Sequence, residues 1–216
     1  LGASRQADRV HAKLVAVAGA LGGLTLAAAL WCVYADNAMA AINWILCGLW
    51  GFISLTFIAV IHRMVPFFTS NAVPLVDAWR PFWVLWLMVA LAVFEACAVW
   101  VAAYADGNHV WLAFRAVVEL VAGGLLLWLA VRWGMVQSLK IRLLAMLHIG
   151  FVWLSLSILL SAIVALLEWG GTNPTYQMGV LHAVTMGFLG SLIVAMVTRV
   201  SCGHSGRKLL ADTLVW

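Results

Sequence analysis

Apolar residues fall into six long runs, near residues 12–34, 42–62, 82–104, 110–131, 141–167 and 177–201. At about 1.5 Å per helical residue, each run is long enough to cross the roughly 30 Å hydrocarbon core of a bilayer. None alternates apolar with polar positions, so the pattern predicts helices and not the strands of a barrel. The segments between the runs read as turns: Asp36-Asn37, Pro66 to Pro81, Asp106-Gly107-Asn108, and Gly170-Gly171-Thr172-Asn173-Pro174. No stretch resembles a soluble domain or is low in complexity. The expected fold is therefore all-α, a polytopic transmembrane helix bundle of about six spans, with residues 1–216 forming a single membrane domain.

Composition agrees. Apolar residues make up 66% of the chain and charged residues 9%, against about 25% charged in an ordinary soluble domain. The chain opens on Leu1 without a charged leader and small-residue cleavage site, and it stops soon after an apolar run. The expectation is a piece of a longer polytopic protein.

Charge sets the expected orientation. Arg5, Arg9, Lys13, Arg63, Arg80, Arg132, Lys140, Arg142, Arg199, Arg207 and Lys208 gather at one set of span ends, and Arg115 alone departs from it. The opposite loops carry Asp36, Asp106 and Glu168 with no Lys or Arg. By the positive-inside rule, residues 1–10, 63–81, 132–140 and 202–216 face the cytoplasm, as do both ends of the segment. The net charge of +4 is then a topology signal. Its expected partner is the lipid bilayer, with no nucleic acid.

Polar residues inside the runs are costly and mark candidate chemistry. In the outer half, Arg115 and Glu119 are spaced i, i+4 and can pair on one helix face, near the depth of Glu95 and His182. The cluster reads equally as a structural ion pair and as a polar pocket for a proton, an anion or a cofactor propionate. Met178, His182 and Met186 form an i, i+4, i+8 stripe. Thioether and imidazole suit reduced copper, although methionine also fills gaps between helices.

In the inner half, His148 lies inside the fifth run, and His62 and His204 stand at span ends. Buried neutral imidazole binds haem iron or copper well. His148 and His182 are expected to lie roughly 20 Å apart along the membrane normal and so at two levels. His11 and His109 read as interfacial residues. Cys32, Cys47, Cys97 and Cys202 form neither CxxC nor CxxCH and read as small thiols packed between helices. Gly19, Gly22, Gly23, Gly123, Gly124, Gly187 and Gly190 read as sites of close helix approach. An internal echo relates Gly51-Phe52, Ala59 and Arg63 to Gly187-Phe188, Ala195 and Arg199 at equal spacing.

The most informative stretch runs from Leu181-His182-Ala183-Val184-Thr185-Met186-Gly187 to Met196-Val197-Thr198-Arg199-Val200-Ser201-Cys202-Gly203-His204-Ser205-Gly206-Arg207. The helical path from His182 to His204 covers roughly 33 Å, about a bilayer core. This stretch resembles the signature of the NnrS family of bacterial membrane proteins. Arg63-Met64-Val65-Pro66-Phe67-Phe68-Thr69 and Leu147-His148-Ile149-Gly150-Phe151-Val152-Trp153-Leu154 agree with it. The resemblance covers residues from about 62 to 210.

That resemblance implies a multi-pass protein of the bacterial cytoplasmic (inner) membrane containing haem, of b-type, and copper. It links the chain to nitric oxide, denitrification and protection against nitrosative stress. By resemblance, His148, His182 and His204 become the candidate metal ligands. Met186 joins them from the copper-suited stripe, and Arg63 and Arg199 are the charge partners of a cofactor. His62 and Cys202 depart from the expected pattern and receive no role.

The implied function is a haem/copper integral membrane protein handling nitric oxide, a small uncharged ligand that reaches an intramembrane metal through lipid. A possible electron donor or quinol completes the partners. Catalysis is left open. The alternatives are a quinol-linked b-type membrane cytochrome and a proton- or anion-coupled transporter using the Glu95-Arg115-Glu119 cluster.

Overall fold

The structure is a computed structural model that describes residues 2–104, 107–172 and 177–204. Arg207, Lys208, Asp106 and Asn173-Pro174, which entered the turn and orientation readings, lie outside the described residues. The described residues are mostly helical, with no strand among them. The helices are α1 (Gly2–Tyr34), α2 (Ala38–Gly48), α3 (Leu55–Ala72), α4 (Phe82–Tyr104), α5 (His109–Arg132), α6 (Met135–Ser138), α7 (Arg142–Trp169), α8 (Gln177–His182) and α9 (Ser191–His204). Six continuous helical stretches are long and apolar enough to cross a membrane: Arg9–Tyr34, Ala38–Ala72, Phe82–Tyr104, His109–Arg132, Arg142–Trp169 and Gln177–Cys202. They match the six apolar runs, and the chain is an all-α, multi-pass membrane protein.

Two stretches contain π-helical segments. Leu49–Ser54 joins α2 to α3, and Ala183–Gly190 joins α8 to α9. The first holds Gly51-Phe52 and the second Gly187-Phe188, so both halves of the internal echo carry the same interruption. Its alanines, Ala59 and Ala195, are both buried. Such wide turns are uncommon and concentrate at functional positions.

The Pro66 to Pro81 turn expectation is corrected: α3 runs through Pro66 to Ala72. Proline there removes one helical bond, to the carbonyl four residues back, and the apolar face around it is buried at Ile61 and Val65. Burial carries the helix past a local breaker.

The chain divides into two compact units, Leu1–Arg63 with Arg80–Asp106, and Met64–Trp79 with Gly107–Trp216. In the first, Asn37 caps α2 by accepting from the Ala40 amide at 3.1 Å. The Cys47 thiol donates to the Ala96 carbonyl of α4 and accepts from the Trp100 indole at 2.9 Å. All four cysteines are free thiols.

In the second unit α5 packs on α7. Ser155 Oγ donates to the Gly123 carbonyl at 2.7 Å. A Cβ at Gly123 would lie 2.7 Å from Leu159, so only glycine admits this approach. Large apolar side chains such as Leu24, Leu30 and Trp31 on α1 and Val117 and Val121 on α5 are exposed, as lipid-facing surfaces require.

Candidate polar and metal-ligating sites

His148 is fully buried on α7, at 0% exposure. Its Nε2 lies 2.9 Å from Thr69 Oγ1 on α3. The single Thr69 hydroxyl proton goes to the Val65 carbonyl at 2.8 Å, so Thr69 accepts from His148 Nε2–H. That fixes the tautomer and leaves Nδ1 a bare lone pair. Nδ1 is buried and meets no hydrogen-bond partner. A lone pair without a donor, in an apolar interior, is the chemistry of a metal ligand held ready by the bond on its other nitrogen.

The chain around Thr69 is well supported. Gly134, at φ +84°, opens α6 in the left-handed region, and a Cβ there would lie 3.0 Å from Thr69 Cγ2. Trp133 donates its indole N–H to the Trp79 carbonyl at 2.9 Å and packs against Phe151 with centroids 5.0 Å apart. Arg199 of α9 places its guanidinium 3.3 Å from the centroid of the Phe68 ring, next to Thr69 in sequence. Two of the sequence-selected residues, His148 and Arg199, thus converge on Phe68-Thr69.

The others lie apart. His182 is exposed, and its Nδ1–H donates to the Met178 carbonyl at 2.7 Å. The proton on Nδ1 makes Nε2 the lone-pair nitrogen. Met178 and Met186 of the same stripe are 63% and 70% exposed, so the stripe does not fill a gap between helices of this chain. His204 is exposed at the end of α9, and Arg63 is exposed on α3. Among the described residues, no three His, Cys, Asp or Glu side chains group closely enough to hold a metal ion. His148, His182 and His204 therefore form no single cluster.

Arg115 and Glu119 pair as their spacing predicts, Nε to Oε1 at 2.7 Å. Ser161 of α7 completes the group, accepting from Arg115 at 2.7 Å and donating to Glu119 at 3.0 Å. Glu95 is buried on α4.

The expectation for His11 is corrected. It stands near the end of its span but does not face lipid or water: it is 6% exposed on α1, and its Nε2 lies 3.0 Å from Nδ1 of His62, itself 1% exposed on α3. Hydropathy gave both residues a depth but not a facing direction, and a partner 51 residues away leaves no local spacing signal. His109, by contrast, is exposed and meets Trp169 edge-on at 6.5 Å.

With this arrangement in view, comparison with known proteins is decisive on lineage. The family model described as NnrS protein matches residues 2–216. The chain belongs to the NnrS family. No curated protein and no solved structure matches it. The NnrS match takes in the segment before residue 60 as well, where the first-noted resemblance had little to hold.

Proposed function

We propose that this NnrS protein is a haem/copper protein of the bacterial cytoplasmic membrane that handles nitric oxide, with both ends of the segment on the cytoplasmic side. One observation carries the metal reading: the buried, bare Nδ1 of His148, whose tautomer is set by Thr69. Family membership supports the class of ligand.

The two candidate histidines suit different groups. The His148 lone pair adjoins the ring's own stem and is fully buried, which suits a bare ion better than a planar macrocycle. His148 fits copper. His182 carries its lone pair on Nε2, the nitrogen farther from its stem, and is oriented by the Met178 carbonyl. His182 would hold a haem iron through Nε2, with Met186 on the same exposed stripe. Arg199, over the Phe68 ring beside Thr69, supplies positive charge near His148, about 25 Å along the helix from His182. When bound, haem iron or copper supplies the centre that takes up nitric oxide. The chain's own part is to orient the ligand nitrogens and to surround them with apolar side chains that admit an uncharged gas. Arg115 and Ser161 both bond Oε1 of Glu119 and bond each other, which supports a structural role for them over an anion or proton relay.

Purified full-length protein is expected to show a Soret band and to contain copper. His182→Ala should lose the haem spectrum and keep copper, and His148→Ala should do the reverse. Both should still insert, since the apolar spans are unchanged. Haem without copper would favour the quinol-linked cytochrome. Loss of neither group in either variant would overturn the assignment.

A further inference from the structure

Arg80 belongs to the first compact unit and stands immediately before Pro81 and the start of α4. Two contacts fix its level in that unit. The Pro81 carbonyl lies 3.1 Å from His62 Nε2 on α3, and His62 Nδ1 lies 3.0 Å from His11 Nε2 on α1. Three span ends, at His11, His62 and Phe82, therefore meet at one level, and the chain holds Arg80 beside them. Arg80 also acts electrostatically on His62.

The guanidinium is not satisfied there. Its Nη1 is buried and meets no hydrogen-bond partner. No ion pair joins Arg80 to a carboxylate among the described residues, and the first turn of α4 holds no acidic residue. Arginine does not lose its proton in proteins, so the buried donor cannot be relieved by neutralisation. A buried donor on a charged group costs more than a neutral one when it has no acceptor. What Arg80 lacks is an anion.

Its surroundings add positive charge. Arg63 follows His62 on α3, and Arg9 and Lys13 lie two residues either side of His11 on α1, all three exposed. A two-residue step turns a helical side chain to the far side, so Arg9 and Lys13 add to the field and not to the contact. The first-turn amides of α4 bring the positive end of that helix's dipole to the same level.

The same place offers an apolar strip. Trp83 and Trp86 stand i, i+3 on α4, 53% and 52% exposed, and share a face that starts next to Arg80 and runs along the span. Indole rings at this depth are common membrane anchors. A cation with an aromatic strip below it suits a phosphate that carries acyl chains, whereas a free phosphate would use the cation alone.

We propose that Arg80 is the headgroup site of a bound anionic phospholipid, with the phosphate on its guanidinium and an acyl chain along Trp83 and Trp86. Arg80 is only partly buried, and a turn of its side chain brings Nη1 to the phosphate. The planar fork then gives charge-assisted bonds to phosphate oxygens. A headgroup with net negative charge is selected over a zwitterionic one, whose ammonium would be brought among Arg63, Arg9 and Lys13. The site involves no haem or metal and does not depend on the nitric oxide reading.

The test uses full-length protein stripped of lipid in detergent and read by native mass spectrometry. Phosphatidylglycerol, phosphatidylethanolamine and inorganic phosphate are added separately and in competition. One phosphatidylglycerol per chain should be held, about tenfold more tightly than phosphatidylethanolamine. Arg80→Gln should weaken it about tenfold, and Trp86→Ala should weaken it less. Arg132→Gln, which removes the cation over Trp79 in the second unit, should leave it unchanged. Raised salt should release the lipid, and inorganic phosphate at the same concentration should not displace it. Wild-type affinity in folded Arg80→Gln, or equal retention of the two lipids, overturns the proposal. So does displacement by inorganic phosphate, which would reveal a phosphate site without a lipid. Should Arg80→Gln fold poorly, salt decides on the wild type: retention that ignores salt excludes a headgroup held by charge.

Discussion

Two buried histidines on this chain are held in opposite ways. His62 uses both ring nitrogens, one toward Pro81 and one toward His11. His148 uses one, toward Thr69, and leaves the other without a partner. Both are essentially inaccessible, at 1% and 0% exposure, so bulk solvent cannot account for the difference. An unsatisfied buried polar atom costs about 1–3 kcal/mol. A fold that carries that cost at one histidine while satisfying another has left a lone pair for something outside its own hydrogen-bonding. The comparison separates a histidine that ties helices together from one that waits for a ligand.

The charged pair gives the upper end of the scale against which both histidines can be measured. Arg115→Ala leaves Glu119 buried without its direct counter-charge and should cost about 3–5 kcal/mol, whereas Glu119→Gln keeps an acceptor for Arg115 and Ser161 and should cost far less. Thermal unfolding in detergent reads both. Equal losses would show that the group is not an ion pair.

The histidine comparison itself predicts a smaller asymmetry. His62→Ala removes one of the two bonds to the Pro81 carbonyl, which keeps the Val84 amide, and the bond to His11 Nε2, and should cost about 2 kcal/mol. His148→Leu in metal-free protein removes an atom that was never satisfied and should cost little or nothing. A loss in metal-free His148→Leu as large as in His62→Ala would erase the distinction. Thr69→Val sharpens it. This variant orphans the His148 N–H and should cost about 1–2 kcal/mol, and adding His148→Leu should recover most of that loss.

Gly134→Ala is the mildest probe. It places a side chain at φ +84° and 3.0 Å from Thr69 Cγ2, for an expected cost of about 1 kcal/mol. Because the intrusion falls on Thr69, it should also weaken copper retention through His148. Reduced stability with unchanged copper would separate Gly134 from the site.

Much of the fold was legible because bilayer length and apolar continuity are strong signals. The six spans and the Arg115–Glu119 pair follow from run length and i, i+4 spacing. Pro66 misled because local breaker chemistry says nothing about the burial of Ile61 and Val65 that carries α3 onward. The π-helical segments left a trace in the repeated Gly-Phe pairs, but a shared sequence pattern does not report a widened turn. His148 was selected by depth and resemblance. Its tautomer depends on a hydroxyl 79 residues away, and no local pattern encodes that. His11 carries no local signal for the same reason, since its partner His62 lies 51 residues away.

The most direct measurement is nitrogen NMR of ¹⁵N-histidine-labelled, metal-free full-length protein, assigned with His148→Leu and His62→Ala, before and after copper(I) is added. His148 is expected to be neutral, with its proton on Nε2 and an unbonded Nδ1, and its Nδ1 resonance to move to a coordinated position when copper enters. A His148 Nδ1 that is protonated, or that remains unshifted in copper-loaded protein, would show that His148 is not a waiting ligand.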